Sequence, residues 1–518
     1  MNNRFEEGTS VVRRGSKEVR RTTDVRSSNL MFTQHALMPK KPAPLTATDF
    51  YRFLTCPHWP WFERFASKEE KKLKRRLTPG ELKRLDDGYL HEKDVMRERM
   101  RGKAVKALAA TGDPKKLFKA TLAAMRQGSE VIYQGTLVDG DWQGRPDLLL
   151  RVDGASRLGN WHYVPVDIKA AHELKPAHRH QLAFYSFLLE RIQGVFPEKA
   201  AVINGDHEDL WFDPSSWVKE FEDVLAKLER LRAGDKPELV LRKACGDTSP
   251  WGEVCKRQAE AADDIALLYN VDVKKLAALR HLDVHTVADA AELSVESLAG
   301  AAPGLTAHSL EVIRFQALSL KDRTVFVKEP VALPETKLEI YFDIESDLPN
   351  DVDYLYGFLT RHAEKGQAGH QMPKATYQAF VAEQPENEAE MWKKFLLWLE
   401  TLPEDYIVYH YAPYERTRLR VLENRYGGSP ALERFRSKLF DLKNSATKPV
   451  TYPLYFYGLK HICKFLGFRW SGELQSGGES IDWYERWCKT GKRKILDDII
   501  QYNEDDVRAT LFLKDWLA

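Results

Sequence analysis

The sequence predicts an α/β protein with two sheet-containing domains and a helical segment between them. Short apolar runs rich in β-branched and aromatic residues alternate with amphipathic helical patterns before about residue 255 and again after about residue 330. The stretch between these regions is rich in Ala and Leu and has almost no β-branched runs. At roughly 150 residues per domain, the length of 518 residues also predicts about three domains.

Composition excludes several classes of protein. With 43% hydrophobic and 30% charged residues, the chain is neither collagen-like nor wholly disordered. No apolar run approaches the roughly 20 residues of a spanning helix, so a membrane protein is not expected. The charged N-terminus has no apolar core typical of a secretory signal, and five cysteines form no regular framework. These features predict a cytoplasmic protein.

Four segments are predicted along the chain, and their boundaries follow changes in composition. They are a disordered basic tail (1–43), an α/β domain (44–255), a helical linker (256–330) and a second α/β domain (331–518). Thr46 or Thr48 is expected to cap the first helix of the first domain. The linker is most simply a packed spacer; a degenerate helix–hairpin–helix unit is the alternative, although its Gly-x-Gly hairpin is missing.

The first candidate site combines two carboxylates and a lysine. Asp147 begins an apolar strand in GRPDLLL, and Asp167 and Lys169 lie two apart on another strand, in VPVDIKAA. Residues i and i+2 of a strand project to the same face, so both side chains are expected to point into one site. Two carboxylates on adjacent strands suit Mg²⁺ or Mn²⁺, and a lysine beside them can orient an attacking water.

Two helices are expected to contribute to this site. His91, on an upstream helix in GYLHEKDV, could be a further metal ligand. Gln181 and Tyr185 lie four apart on one face of a downstream helix, where they could hold a nucleotide or the lysine in place. Each of these signals is weak alone, but their occurrence in this order along the chain makes a chance combination unlikely and favours a common site.

This series of motifs resembles the RecB-type nuclease domain of the PD-(D/E)XK superfamily over about residues 44–260. The resemblance implies a restriction-endonuclease-like α/β domain. It also implies that His91, Asp147, Asp167 and the backbone of Ile168 bind metal, while Lys169 supports the nucleophilic water.

Some members of that family hold a [4Fe–4S] cluster with one early and three late cysteines. Cys56, Cys245 and Cys255 match three of these positions, and Thr248 and Ser249 occupy the place where the fourth is sought. Four thiolates are the usual requirement. The favoured interpretation is therefore a lost cluster whose cysteines pack as small hydrophobic residues; an incomplete cluster is the alternative.

The second candidate site is a set of acids in the C-terminal domain. Asp343 and Glu345 are two apart on a strand in YFDIES, and Tyr502 and Asp506 are four apart on a helix in QYNEDDVRAT. Glu415 follows an apolar strand in IVYHYAPYERTRL. Such acids repel one another, and divalent cations resolve that conflict. A tyrosine beside them can align an attacking water by hydrogen bonding.

This region resembles the DEDDy class of 3′–5′ exonucleases, and more closely the YprB-type ribonuclease H-like domain often fused to RecB-like nucleases. The resemblance assigns Asp343 and Glu345 to the first exonuclease motif and Tyr502 with Asp506 to the third. Glu415 fills the second motif, where an Asp is usual.

The two sites together predict a Mg²⁺- or Mn²⁺-dependent nuclease acting on DNA, exonucleolytic and on single strands, in repair, recombination or defence against foreign DNA. No Walker-type motif is present, so any unwinding would need a helicase partner. Two alternatives stay open. One is a 3′–5′ exonuclease on DNA or RNA driven by the C-terminal site, and the other is a nucleic-acid-binding scaffold with decayed sites.

Overall fold

The structure, a computed structural model, describes residues 43–269, 271–362, 375–472, 474 and 477–518. The predicted basic tail falls almost wholly outside the described residues. Residues 43–518 form one compact unit in which helices and mixed sheets alternate. The predicted α/β fold class is confirmed.

The N-terminal region is built around a six-stranded sheet in the order β2-β3-β6-β7-β8-β9, with a small sheet β1-β5-β4 beside it. Its strands are β1 (Leu45–Thr46), β2 (Val105–Ala107), β3 (Val131–Tyr133), β4 (Leu137–Asp139), β5 (Trp142–Gly144), β6 (Leu148–Ser156), β7 (Gly159–Ile168), β8 (Ala200–Ile203) and β9 (Asp209–Phe212). Its helices are α1 (Ala47–Thr55), α2 (His58–Phe65), α3 (Lys68–Leu73), α4 (Pro79–Arg99), α5 (Pro114–Arg126), α6 (Pro176–Gln193), α7 (Val218–Ala233), α8 (Lys243–Asp247) and α9 (Gly252–Ala261).

The local sequence explains how this region is assembled. Thr46 is the N-cap residue of α1, and both its backbone N–H and its hydroxyl donate to Asp49 Oδ2, at 2.9 and 3.0 Å. Helix α6 buries residues such as Phe184 and Leu188 in the same core as Leu149 of β6 and Val202 of β8. Strands β6 and β7 pair antiparallel, which places the residue before β6 opposite the end of β7.

The segment predicted as a linker is helical. It contains α10 (Val273–His281), α11 (Val287–Glu292), α12 (Val295–Leu298) and α13 (Ala307–Asp322). Apolar residues from these helices, including Leu279, Ala290 and Leu310, form their own buried cluster. These helices therefore have a small core of their own, and the role of the segment as a spacer stays a prediction.

The C-terminal region contains a five-stranded sheet in the order β13-β12-β11-β14-β15. The strands of the region, which include β10 and β16 outside this sheet, are β10 (Phe326–Val327), β11 (Leu338–Asp347), β12 (Val352–His362), β13 (Thr376–Val381), β14 (Tyr406–His410), β15 (Leu439–Asp441) and β16 (Val450–Thr451). The helices are α14 (Glu388–Glu400), α15 (Tyr414–Tyr426), α16 (Pro430–Ser437), α17 (Leu442–Thr447), α18 (Leu459–Phe465), α19 (Gly477–Thr490) and α20 (Arg493–Leu517). Strand β11 pairs antiparallel with β12 and parallel with β14.

The two sheet regions touch through a pair of helices. Lys83 of α4 forms an ion pair with Glu485 of α19. Helix α19 in turn packs on α20, the long C-terminal helix that crosses β11 and β12. Among the helices of the described residues, none combines the length and the apolar character needed to cross a membrane.

Candidate active sites

Asp147 and Asp167, the N-terminal acid pair, meet at the junction of β6 and β7. Asp167 Oδ1 lies 3.3 Å from the backbone N–H of Asp147, and Asp147 Oδ2 accepts a hydrogen bond from the backbone N–H of Ile168 at 2.8 Å. Lys169 Nζ forms an ion pair with Asp167 Oδ2 at 3.0 Å. The structure therefore brings together the three residues that the two strand motifs single out.

The environment of the N-terminal acid pair favours a proton or a cation on Asp147. Burial, and after it the charge of Asp167, raises the pKa of Asp147 to about 7, although Lys169 opposes the shift. Burial disfavours the charged form of Lys169, but the two carboxylates outweigh it and raise the pKa of Lys169. Lys169 thus stays an ammonium ion, and its positive charge compensates part of the negative charge of both acids.

Glu92, rather than His91, faces the N-terminal acid pair. Gln134 connects Glu92 to this pair: its Nε2 donates to Glu92 Oε1 and lies 3.3 Å from Asp147 Oδ1. The ring of His91 lies 5.3 Å from that of His207, and burial followed by the charge of His207 lowers the pKa of His91. Adjacent positions on a helix point about 100° apart, so one of the two must turn away.

Within the described residues, no third histidine, cysteine or acid joins Asp147 and Asp167 to form a group whose ligand atoms lie within 4.8 Å of one another. The structure thus does not place His91 with the N-terminal acid pair, and its assignment as a ligand rests on the resemblance alone.

Gln181 and Tyr185 face the loop that precedes β6. Gln181 Nε2 donates to Tyr185 OH at 3.0 Å, and Tyr185 OH donates to the carbonyl of Arg145 at 3.2 Å. Burial, followed by the charge of Asp167, raises the pKa of Tyr185 well above its ordinary value. In this arrangement the pair holds the backbone two residues before Asp147.

Asp343, Glu345 and Asp506, the C-terminal acid cluster, each place a carboxylate oxygen within 4.8 Å of the other two. Asp343 and Glu345 lie on the central strand β11, and Asp506 lies on α20, which crosses it. The register of β11 against β12 shifts directly after Glu345. The extra residue is Tyr354 of β12, so the regular pairing of β11 ends directly beyond the two acids.

Three side chains that the motifs do not include hold the C-terminal acid cluster in place. The hydrogen bonds run from Asn503 Nδ2 to Asp343 Oδ2 (2.7 Å), from Ser480 Oγ to Glu345 Oε2 (2.6 Å) and from Trp470 Nε1 to Asp506 Oδ1 (2.6 Å). Each donor fixes one oxygen of its carboxylate. The orientation of all three acids is therefore set before any ligand arrives.

Lys460, at the start of α18, is the cation of this site. Its Nζ donates to the hydroxyl of Tyr502, lies 4.0 Å from the centre of that ring, and stands 3.8 Å from Asp506 Oδ2. Sequence reasoning missed Lys460 because a lone lysine in YGLKHI has no distinguishing spacing. Its role follows only from the packing of α18 against α20.

Repulsion and burial raise the proton affinity of the whole C-terminal acid cluster. Burial, followed by Glu345, raises the pKa of Asp343 well above its ordinary value. Burial and Asp506 raise the pKa of Glu345 to about 8. Burial also raises the pKa of Asp506, against the charge of Lys460. A divalent cation would relieve this repulsion with the hard oxygen donors that it prefers.

Glu415 lies beside the C-terminal acid cluster but outside it. Its Oε2 is 3.2 Å from His410 Nδ1, and its charge contributes to the raised pKa of Asp343. Burial raises the pKa of Glu415 itself. Between β14 and α15, Ala412 adopts a left-handed backbone (φ 76°), which is uncommon for a residue other than glycine. The strained turn brings Glu415 back towards the end of β14.

The structure gathers Cys56, Cys245 and Cys255, the cysteine cluster, in one buried core. Thr248 and Ser249 do not complete it: Ser249 Oγ accepts the backbone N–H of Trp251, and a hydroxyl is no substitute for a thiolate on iron. Three thiols do not fit the four-thiolate cluster that the resemblance implies.

A comparison with known families agrees with the fold around the C-terminal acid cluster. A family model described as the RNase_H superfamily matches residues 340–518, the span that holds β11, α20 and all three acids. The C-terminal region is an RNase H-like domain. That superfamily suggests a nuclease acting on nucleic acids and is generally metal-dependent. No curated protein matches the chain.

Proposed function

We propose that the protein is a divalent-metal-dependent nuclease whose RNase H-like domain removes nucleotides from the 3′ end of DNA. The observation that carries this proposal is the convergence of Asp343, Glu345 and Asp506 within 4.8 Å of one another in a buried site. DNA as the substrate, and a role in repair, recombination or defence, rest on the resemblance to the RecB-like and DEDDy families.

The donor set of the C-terminal acid cluster fits Mg²⁺ or Mn²⁺, because it offers carboxylate oxygens that already repel one another. When bound, such a cation supplies Lewis acidity and stabilises the charge that develops on a phosphodiester. Asp343, Glu345 and Asp506 would hold it, with their orientation fixed by Asn503, Ser480 and Trp470.

Tyr502 is suited to position the attacking water. Burial, followed by the charge of Asp506, raises the pKa of Tyr502 far above its ordinary value, so its hydroxyl keeps its proton at neutral pH. Lys460 Nζ donates to that hydroxyl, and the hydroxyl is also hydrogen-bonded to Asp506, so these two contacts hold the tyrosine oxygen beside the C-terminal acid cluster. Lys460 thereby acts as a positioning residue for Tyr502.

A second nuclease site is favoured by one specific observation, the contact of Lys169 with Asp167 beside a partly protonated Asp147. We propose that this site also cleaves DNA, with Lys169 orienting the water. A helicase partner and a cytoplasmic location stay predictions of the sequence.

The proposal is tested with the full chain and single- and double-stranded DNA and RNA, labelled at the 5′ or the 3′ end, in Mg²⁺ or Mn²⁺. We expect 3′ labels to be released as mononucleotides and 5′-labelled strands to shorten stepwise. Asp343→Asn should abolish this pattern, and Lys169→Ala should leave it intact.

Two results would contradict the assignment. Shortening that survives Asp343→Asn but is lost in Lys169→Ala would move the activity to the N-terminal site. Metal-independent binding of nucleic acid without cleavage by any form of the chain would favour the scaffold alternative.

A further inference from the structure

The cysteine cluster has a fourth member, His58. Cys56 ends α1 and His58 begins α2, whereas Cys245 and Cys255 lie on α8 and α9, far along the sequence. The side chains of all four are buried, with at most 1% of the surface of each residue exposed. The fold thus brings two distant segments together around three sulfurs and one imidazole.

Three of the four side chains are in mutual contact, and Cys245 reaches them through Cys56. One ring nitrogen of His58 and the sulfurs of Cys56 and Cys255 all lie within 4.8 Å of one another. Cys245 and Cys255 both interact with Cys56, and the Cys245 thiol also donates to the carbonyl of Val240 at 3.6 Å. Cys56 is therefore the centre of the group.

His58 presents a nitrogen that lacks a hydrogen-bond partner. Its Nε2 lies 2.9 Å from the carbonyl oxygen of Pro237, so Nε2 must carry the proton and donate it. Its Nδ1 is buried and has no hydrogen-bond partner among the described residues. An unsatisfied buried nitrogen is costly, and an ion is one of the recognised explanations for it. A backbone carbonyl on the outer nitrogen is also the usual support of a histidine that ligates a metal.

We propose that Cys56, His58, Cys245 and Cys255 form a structural zinc site of the Cys₃His type. Zinc takes four ligands of this kind in closed, tetrahedral structural sites. In a tetrahedral site, bond lengths of about 2.0–2.3 Å separate two ligand atoms by about 3.3–3.8 Å. The ligand atoms of Cys56, His58 and Cys255 already lie within 4.8 Å of one another, so binding would draw them together by about 1 Å.

A [4Fe–4S] cluster fits the group less well. In a cubane each thiolate binds a different iron, so the ligand atoms must stand further apart than ligands that share a single ion. The surroundings also favour a closed site, because Phe62, Trp251 and Val254 pack around the thiols and exclude water. We therefore assign the site a role in joining α1 and α2 to α8 and α9, not in catalysis.

The first experiment measures the metal content of the full-length protein produced with both zinc and iron in the medium and purified without chelators. We expect close to one zinc ion per chain, lost in Cys255→Ala and in His58→Gln. Cys463→Ala is the matched control, since Cys463 is also buried but donates to the carbonyl of Ala509 away from the group. It should keep its zinc.

A second variant guards against loss of zinc through misfolding. His58→Cys converts the group to four thiols and should still bind zinc. Replacement of zinc by Co²⁺ in the unmodified protein should produce thiolate-to-cobalt charge-transfer bands and the strong visible absorbance of a tetrahedral ion. The acid sites have no sulfur and cannot produce the charge-transfer bands.

The results that overturn the proposal are equally specific. Iron with the broad visible absorbance of an iron–sulfur cluster would restore the cluster interpretation. Absence of zinc and of cobalt charge-transfer bands in the folded protein would mean that the thiols only pack as small hydrophobic residues. Zinc that His58→Gln retains in full would remove His58 from the site.

Discussion

The N-terminal acid pair and the C-terminal acid cluster differ in how their negative charge is compensated. Asp167 forms an ion pair with Lys169 at 3.0 Å, and Asp147 accepts a backbone N–H. In the C-terminal acid cluster three acids face the ammonium of Lys460, which stands 3.8 Å from Asp506 Oδ2. Similar motifs thus leave different amounts of uncompensated negative charge, and the C-terminal acid cluster, which has more of it, should favour a bound cation more strongly.

Loss of a cation ligand from the C-terminal acid cluster should have the strongest effect, and it should be seen in the activity. Asp506→Asn should lower the 3′–5′ exonuclease rate by about 10³-fold, which corresponds to about 4 kcal/mol, because a cation ligand next to the reacting phosphodiester is lost. Initial rates on a 5′-labelled single strand measure it. Asp497→Asn, an exposed acid on the same helix, is the control and should keep the parent rate. Equal rates in the two variants would refute the assignment.

Metal binding should separate the two sites by stability. Mg²⁺ at about 100 times its dissociation constant should raise the free energy of unfolding by about 2.7 kcal/mol. We expect Asp343→Asn to lose most of this gain and Asp167→Asn to keep it, as measured by urea unfolding with and without the cation. The reverse pattern would make the N-terminal acid pair the tighter site.

Each of the two sites has a glycine whose backbone lies close to a side chain of that site, and substituting these glycines should have unequal effects. A Cβ atom at Gly357, opposite Asp343 on β12, would lie 1.6 Å from Asn503 Oδ1. Gly357→Ala should therefore cost about 2 kcal/mol of stability and disturb the hydrogen bond that orients Asp343. At Gly144 the same atom would meet the ring of Tyr185 at 2.8 Å, a lesser clash.

Gly144→Ala should accordingly cost less stability and leave the exonuclease rate unchanged. Adding Asn503→Ser to Gly357→Ala should recover stability without recovering activity. Recovery of both would show that Asn503 has no part in orienting Asp343.

The smallest effect is a pH dependence in buffer free of divalent cations. Burial and repulsion raise the pKa of Glu345 from 4.5 to about 8 and that of Asp147 from 3.8 to about 7. The folded protein then holds protons that the unfolded chain has released, so the contribution of these two groups to stability is greatest below about pH 4 and is lost as pH rises through the folded pKa values. Each such proton contributes a slope of about 1.4 kcal/mol per pH unit.

Between pH 7 and pH 8 this slope should belong mainly to the C-terminal acid cluster. Denaturation across this pH series should show a clearly flatter curve for Glu345→Gln and only a slightly flatter one, close to pH 7, for Asp147→Asn. Mg²⁺ should flatten the parent curve, because it stabilises the ionised acids. A curve that rises with pH would contradict the direction of both shifts.

Much of the fold followed from patterns within short segments. The alternating burial of β6, the short apolar runs of β7 and β11 and the capping signal at Thr46 are local, and local rules predict them. The spacing of Asp343 and Glu345 likewise depends on the strand alone. These features could be predicted because no distant residue is needed to specify them.

The parts that could not be predicted depend on contacts between distant segments. A helical pattern places His91 and Glu92 side by side and cannot say which one turns towards Asp147. Lys460 reaches its site only through the packing of α18, and His58 reaches the cysteine cluster only because α2 meets α9. The Cys-x-His spacing of residues 56 and 58 was the one local signal that could have indicated the histidine.

The contact between α4 and α19 links the two acid sites. Helix α19 carries Ser480, which orients Glu345, and Glu485, which pairs with Lys83 of α4. Helix α4 also carries Glu92, which Gln134 connects to the N-terminal acid pair. Any free energy of coupling carried through this connection would be reciprocal: if occupancy of one site changed the affinity of the other, the reverse effect would have the same factor.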